Sequence, residues 1–389
     1  MNVHRTSVYL LVVAVIGLIV LGLVMLSSTS AYAPESHGSA TFLLKRQVVW
    51  LAAGLVICAL AASVDYHRWE KTWWIWFVGS VILLALCFIP PFRHRIYGAA
   101  RWIKFGGFSF QPSEFAKMAA IITLSWWFSR SEENAGRFWQ GFVAPLFAAG
   151  ILMALIAPEV DLGTTSLIGS TTVTLMFLAG TRLRYLIPMI LTGLGGLALA
   201  IDKMPERTGR FLAFLYPDKY PADAYQAVQG LIALGSGGVE GLGLGNGRQK
   251  MLYLPFAHTD FIFPVVGEEL GLRCTLLVVF AYIVIILSGA MIAMRARDRF
   301  GMLFGFGIMI IISLQAAVNI GVTTALLPNK GLPLPFISYG GSNLVFCLLG
   351  VGILINIYRQ GFNDREEQKN TNNAMLRART RRVPRVVRL

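Results

Sequence analysis

Residues 7–26 read SVYLLVVAVIGLIVLGLVML, twenty positions without a charge. At about 1.5 Å per residue a helix of that length crosses a hydrocarbon core of about 30 Å. The run exceeds the apolar region of a secretory signal, about 7–15 residues. Ala31-Tyr32-Ala33 has the small-residue form of a cleavage site, but the length of the run favours a retained first span. Similar blocks recur along the chain. They place spans at 7–27, 47–64, 72–90, 112–129, 139–157, 162–181, 183–201, 261–293, 302–327 and 338–358. The eighth is long enough to contain an interfacial turn or a tilt. None alternates in segments of about ten residues, as transmembrane strands do. The expected fold is therefore all-α, a polytopic membrane protein of about ten helices.

Composition agrees. Of 389 residues, 56% are hydrophobic and 14% are charged, where a soluble domain has about 25% charged. A net charge of +14 would point a soluble protein toward nucleic acid; here it is read as orientation, with Lys and Arg gathered in cytoplasmic loops. An N-inside start puts 65–71, 130–138, 182–184 and 294–301 inside, each with at least two basic residues. The outer segments are then 28–46, 91–111, 158–161, 202–260 and 328–337. Residues 1–361 form one transmembrane unit, in which 202–260 is a large extracytoplasmic loop before the eighth span. Residues 362–389 form a basic cytoplasmic tail, read as lacking fixed structure and facing anionic headgroups or a partner. Cys58, Cys87, Cys274 and Cys347 sit in or beside apolar blocks without CxxC spacing, which argues against a disulfide framework or zinc. The histidines show no metal-ligand pattern.

Five segments carry residues able to do chemistry. In the first, Arg101-Trp102 stands at the outer interface, able to meet an anionic lipid headgroup. Pro112 suits a helix start, and Glu114 and Lys117 then share one face at i, i+3. That pair reads either as a structural ion pair or as the wall of a polar cavity. The second is Glu159-Val160-Asp161, where Asp161 can cap the following helix. The third is glycine-rich, Gly235 to Gly238 and Gly241 to Lys250. It lacks the Walker pattern and reads as a phosphate cradle or a surface loop. The fourth, Tyr253 to Phe263, puts Asp260 where a water-facing loop meets a span, beside His258. Glu268 and Glu269 follow two to three turns into the helix. Asp260 reads as an N-cap or as a general base of raised pKa. The fifth, Leu327 to Ser342, is a proline- and glycine-rich turn that looks re-entrant and presents Lys330.

Taken together, these segments resemble the SEDS family (shape, elongation, division and sporulation). The resemblance runs from the first span to about Asn356. It rests on Gly98 to Lys117, Asp161-Leu162-Gly163-Thr164, Gly235 to Gly238, His258 to Phe263, Gly267 to Gly271 and Pro328 to Ser342. Asn329-Lys330-Gly331 is closer to the division type than to the elongation type. Val160, Leu252 and Phe256 depart from the family pattern, the last two at places where an acid is frequent. The resemblance implies a peptidoglycan glycosyltransferase that polymerises lipid II through β-1,4 linkages and releases undecaprenyl pyrophosphate. Asp260 would be its catalytic base. Arg101, Trp102, Glu114, Lys117, His258, Lys330 and Ser338 would bind substrate, with Glu114 orienting Lys117. A divalent cation, Mg2+ or Mn2+, is a possible cofactor; no organic cofactor is implied. The implied partners are a class B penicillin-binding protein and other division proteins. The implied location is the bacterial inner membrane, at the septum. A lipid II flippase, an elongation-type polymerase and a non-catalytic scaffold are the alternatives.

Overall fold

The computed structural model describes residues 3–32, 39, 41–89, 93–96, 99–105, 108–130, 132–159 and 161–381. Ala33, Gly98, Val160 and the tail residues 382–389 lie outside that set. In chain order the helices are α1 (Val3–Thr29), α2 (Phe42–Ser63), a single turn α3 (His67–Lys71), α4 (Trp73–Leu86), α5 (Pro112–Arg130) and α6 (Ala144–Ile156). Next come α7 (Leu162–Ala179), α8 (Leu183–Asp202), α9 (Pro205–Leu215), α10 (Pro221–Gly237), α11 (Ile262–Ala293), α12 (Arg299–Thr323) and α13 (Gly341–Arg381).

Among the described residues, seven stretches are long and apolar enough to cross a membrane: Arg5–Tyr32, Phe42–Ser63, Trp139–Glu159, Leu162–Ala179, Ile262–Ala293, Arg299–Thr323 and Gly341–Phe362. Two shorter apolar helices, Trp73–Leu86 and Leu183–Leu199, occupy two further expected positions. The remaining expected position is α5, whose Glu114, Lys117 and Arg130 dilute its apolar character. The helix is buried along most of its length, where Glu114 and Lys117 pair with each other, while Arg130 is exposed at its end. Small residues, Ala116, Ala119 and Ala120, let neighbouring helices close on it. By contrast α8 is exposed along most of its length, as a lipid-facing helix would be.

The segment 202–260 departs from a plain loop. Pro205 and Pro221 each stand in the first turn of a helix, where a missing N–H costs nothing, and they start α9 and α10. The amphipathic stretch Ala224 to Leu234 lies inside α10 and buries Ala224, Gly230 and Ala233. Residues 91–111 depart from an all-helical reading too. β1 (Arg93–Ile96), β2 (Ala99–Phe105) and β3 (Phe108–Phe110) form a small antiparallel sheet in the order β1-β2-β3. Beyond the last expected span, α13 continues as helix to Arg381. Cys58, Cys87, Cys274 and Cys347 are free thiols.

The long eighth span is broken. Gly271 has φ 75° and ψ −178°, so α11 is two helices meeting at that residue. A Cβ there would lie 2.5 Å from the Gly241 nitrogen and 2.5 Å from the Val239 oxygen. Glycine is required on both counts.

The bundle sorts its connections. The segments expected outside meet one another at one end. Gln111 Nε2 reaches the Asp161 carboxylate at 3.5 Å, and Lys330 Nζ reaches the Leu162 carbonyl at 3.1 Å. Those expected inside meet at the other end, with His67 Nε2 3.4 Å from the Asp298 carboxylate and Arg299 donating to the Ala179 carbonyl at 2.7 Å. Arg299 also pairs with Glu132. The chain thus alternates between ends as the charge pattern requires.

Candidate functional site

The proline-rich turn 328–337 and the loop before α11 are held against each other by three kinds of hydrogen bond. Ser338 Oγ donates to the Thr259 carbonyl at 2.6 Å and accepts from Leu334 N at 2.8 Å. Tyr339 N donates to the His258 carbonyl at 3.0 Å. The side-chain amide of Asn319, from the interior of α12, donates to the Asp260 carbonyl at 2.8 Å and to the Leu332 carbonyl at 2.6 Å. Every residue from His258 to Asp260 is therefore tied to the turn. Ser338, expected to touch substrate, spends its hydroxyl on backbone and fixes this junction.

Asp260 is half-buried at the centre of the arrangement. Its carboxylate lies over the bare backbone of Gly331, where an added Cβ would come within 2.5 Å of Oδ2. Burial raises its pKa to about 6; His258 and Arg101 pull it down, and Asp161 pushes it up. His258 is itself buried, its ring 6.1 Å from that of Tyr339. The site thus joins one carboxylate of raised basicity to a cation on β2 and an acid at the start of α7.

Lys330, next to Gly331, reaches across to α7. Its Nζ donates to the Leu162 carbonyl at 3.1 Å and to Ser166 Oγ at 3.3 Å. Burial holds its pKa below the usual lysine value, against the opposing pull of Asp161. Arg101 Nε donates to the Glu159 carbonyl at 3.2 Å, which ties β2 to the turn before α7. Asp161 caps α7, accepting from Thr164 N at 3.1 Å and Thr164 Oγ1 at 2.9 Å. The capping reading holds, and Asp161 adds negative charge to the surroundings of Asp260. Trp102 is half-buried in β2, paired across the strands with His94.

Glu114 and Lys117 lie deeper. Their ion pair is 2.7 Å long, and both residues are buried. Asn343 Nδ2 donates to Glu114 at 3.1 Å, Lys117 donates to Gln315 Oε1 at 2.7 Å, and Gln315 Nε2 donates to the Pro333 carbonyl at 2.8 Å. This chain of bonds crosses from α13 through α5 and α12 to the proline-rich turn. The geometry is that of a structural ion pair propping the turn from below.

The two acids further along α11 serve another purpose. Glu268 accepts from Arg248 N at 2.7 Å and Gln249 N at 3.2 Å. Glu269 pairs with Lys250 at 2.6 Å and accepts from Ser28 Oγ at 2.8 Å and Gly245 N at 2.9 Å. They staple the glycine-rich run to the bundle and to α1. That run is thus bound to protein carboxylates and does not stand open as an anion cradle.

Asn319, Gln315 and Asn343 went unnoticed in the sequence. Their signal is generic: an amide inside an apolar helix is costly unless bonded, so it marks an internal connection. Among the described residues, no group of three or more His, Cys, Asp or Glu is placed to hold a metal ion.

A helical membrane protein that sets a basic carboxylate among cations at one mouth of its bundle has the form of an enzyme acting on membrane-borne, anionic substrates. The chain belongs to the FtsW, RodA and SpoVE family, whose model, described as "Cell cycle protein", matches residues 9–362. It is 39% identical over 358 residues to "Probable peptidoglycan glycosyltransferase FtsW" of Geobacter metallireducens, covering 92% of this chain and 95% of that one. It is 37% identical to "Stage V sporulation protein E" of Bacillus subtilis, over 92% of this chain and 99% of that protein. The fold matches a chain of a peptidoglycan synthase complex described as coordinating polymerization and crosslinking, with TM-score 0.73 and 26% identity over 90% of this chain and 97% of that chain. It also matches the rod shape determining protein RodA of Thermus thermophilus, with TM-score 0.67 and 27% identity over 90% and 96% of the two chains.

Proposed function

We propose that the chain is a peptidoglycan glycosyltransferase that polymerises lipid II at the outer face of the bacterial inner membrane during cell division, with Asp260 as general base. The observation that carries this role is the half-buried carboxylate, of raised proton affinity, fixed on Gly331 with Arg101 and Lys330 on the flanking elements. In the reaction Asp260 takes the proton of the 4-hydroxyl of one sugar. The freed oxygen bonds to the anomeric carbon of a second lipid II, and the bond from that carbon to the pyrophosphate oxygen breaks. Undecaprenyl pyrophosphate leaves with the electron pair. Arg101 and Lys330 meet the developing negative charge, and an anion beside the partly desolvated Lys330 offsets the cost of keeping its ammonium charged. Trp102 offers an aromatic face at the same rim.

A divalent cation, when present, supplies Lewis-acid stabilisation of the leaving pyrophosphate. Lys117 is not needed for charge there, because Glu114 and Gln315 already satisfy it. The same satisfaction weighs against the flippase reading, which would use that intramembrane pair.

The relatives named for peptidoglycan synthesis support the assignment, and the synthase complex that couples polymerization to crosslinking supports a crosslinking partner, for which a class B penicillin-binding protein is the candidate. The motif at Asn329 to Gly331 favours the septum as location, and the basic loops favour cytoplasmic termini. The test uses the purified protein with its cognate penicillin-binding protein and lipid II, read as glycan chains on a gel. Asp260→Asn is expected to slow polymerisation by about 10²–10⁴-fold, the worth of a positioned base. Undiminished chains from a folded Asp260→Asn protein would remove Asp260 from that role.

A further inference from the structure

We propose that Asn319 is a positioning residue for the reaction, clamping the Asp260 and Leu332 carbonyls together so that the carboxylate is held against the bare backbone of Gly331. This rests on the reading of Asp260 as the base. Three observations carry it. First, Asn319 is 1% exposed in the interior of α12, where an amide is retained for the bonds it makes. Second, its nitrogen donates to two separate strands of chain, at 2.8 Å and 2.6 Å, and one of these is the residue that bears the carboxylate. Its Oδ1 is buried without a hydrogen-bond partner, so the side chain is kept for its donors. Third, Gly331 lies one residue from Leu332, and a Cβ at Gly331 would sit 2.5 Å from Asp260 Oδ2. The clamp and the glycine together set how close the carboxylate comes to the turn.

The groups that face Asp260 electrostatically are His258 from its own loop, Arg101 from β2 and Asp161 from the start of α7. Asn319 is neutral and stands on none of these elements. Replacing it changes no charge near the carboxylate, so any change in the titration of Asp260 reports its position and hydration. This separates positioning from mere support of the fold. A structural loss lowers the amount of active enzyme and scales the rate equally at every pH. A loosened carboxylate becomes better hydrated, holds its proton less tightly and shifts the acid limb of the kcat profile to lower pH.

The experiment compares wild type, Asn319→Leu, Gly331→Ala and Asp260→Asn as full chains with the partner penicillin-binding protein, on lipid II across pH. Leucine keeps the approximate volume of Asn319 and removes both donors. Alanine at Gly331 is met by the movable end of the Asp260 side chain, so it displaces the carboxylate without requiring the backbone to move. A displacement of about 1 Å at a reacting group can cost about 100-fold. Both variants are therefore expected to lose about 100-fold in kcat. Little change in KM for lipid II and an acid limb moved to lower pH complete the expected signature. Wild-type kcat in both, or a lowered rate with the limb unmoved, overturns the clamp. Should Asn319→Leu fail to fold, Gly331→Ala decides by the same readouts. Undiminished polymerisation by Asp260→Asn instead overturns the base itself, an outcome distinct from failure of the clamp.

Discussion

As the proposed base, Asp260 must lose its proton to act, and burial makes that harder. With its pKa raised to about 6, polymerisation should rise through about pH 6 and level off above it. The stability of the fold runs the other way. A carboxyl whose folded pKa exceeds its unfolded value binds its proton more tightly when folded. Its stabilisation is complete below the usual carboxylate value of 3.8 and is lost as pH rises to about 6. Asp260→Asn removes the buried charge, so above that pH it should unfold at a higher temperature than wild type. The gain is on the order of 1 kcal/mol once the half exposure of the site is discounted. Thermal unfolding in detergent at pH 5 and pH 8 checks the sign: the mutant's advantage must widen at pH 8. Asp260 itself was legible in the sequence because an acid at the junction of a loop and a span is exceptional. Asn319 was not, because one amide among apolar residues says that a bond exists without saying to what. The contribution of Asp161 to Asp260 was equally hidden, since an electrostatic influence between positions so far apart in the chain leaves no local pattern.

At the scale of elements, the first segment of α11 is set by its partners more than by its own sequence. Glu268 and Glu269 accept hydrogen bonds from the run Gly245 to Gln249, and Glu269 adds the buried ion pair with Lys250. Glu269→Ala would leave the Lys250 ammonium buried and unpaired, a loss of about 3–5 kcal/mol for pairs of this kind. Gly271→Ala would strain a positive φ and drive a methyl onto the backbone of Val239 and Gly241. Both changes should lower the unfolding temperature and leave the 241–250 run open to protease. If limited proteolysis of Glu269→Ala matches wild type, the staple is not what holds that run. The length of the eighth span leaves room for a turn, but apolar content continues through Gly271, and glycine inside a helix pattern does not announce where the break falls. The two acids stood close to Asp260 in sequence and were grouped with it. The structure separates them by purpose, because a carboxylate's role follows from the donors that face it.

For the whole molecule, the alternation of ends was the most legible feature, since each short basic loop returns the chain to the same side. Helix contacts agree: loops 65–71 and 294–301 meet through His67 and Asp298, while 328–337 meets the start of α7, just after 158–161, through Lys330 and Leu162 at the other end. Less legible was the placement of α5, whose charges made it resemble a cavity wall and whose near-complete burial comes from its chain neighbours α4, α6 and α7 together with the distant α12 and α13. The orientation of the bundle can be tested directly. In a variant with Cys58, Cys87, Cys274 and Cys347 replaced, a cysteine at the exposed Leu252 should react in intact spheroplasts with a maleimide that cannot cross membranes. A cysteine at Arg297, in the basic loop between α11 and α12, should react only after permeabilisation. Labelling of the Arg297 position from outside would invert the bundle and carry Asp260 to the cytoplasmic face, where a polymer destined for the wall could not be built. The orientation of the bundle and the proposed chemistry therefore stand or fall together on which of these two positions meets the outside.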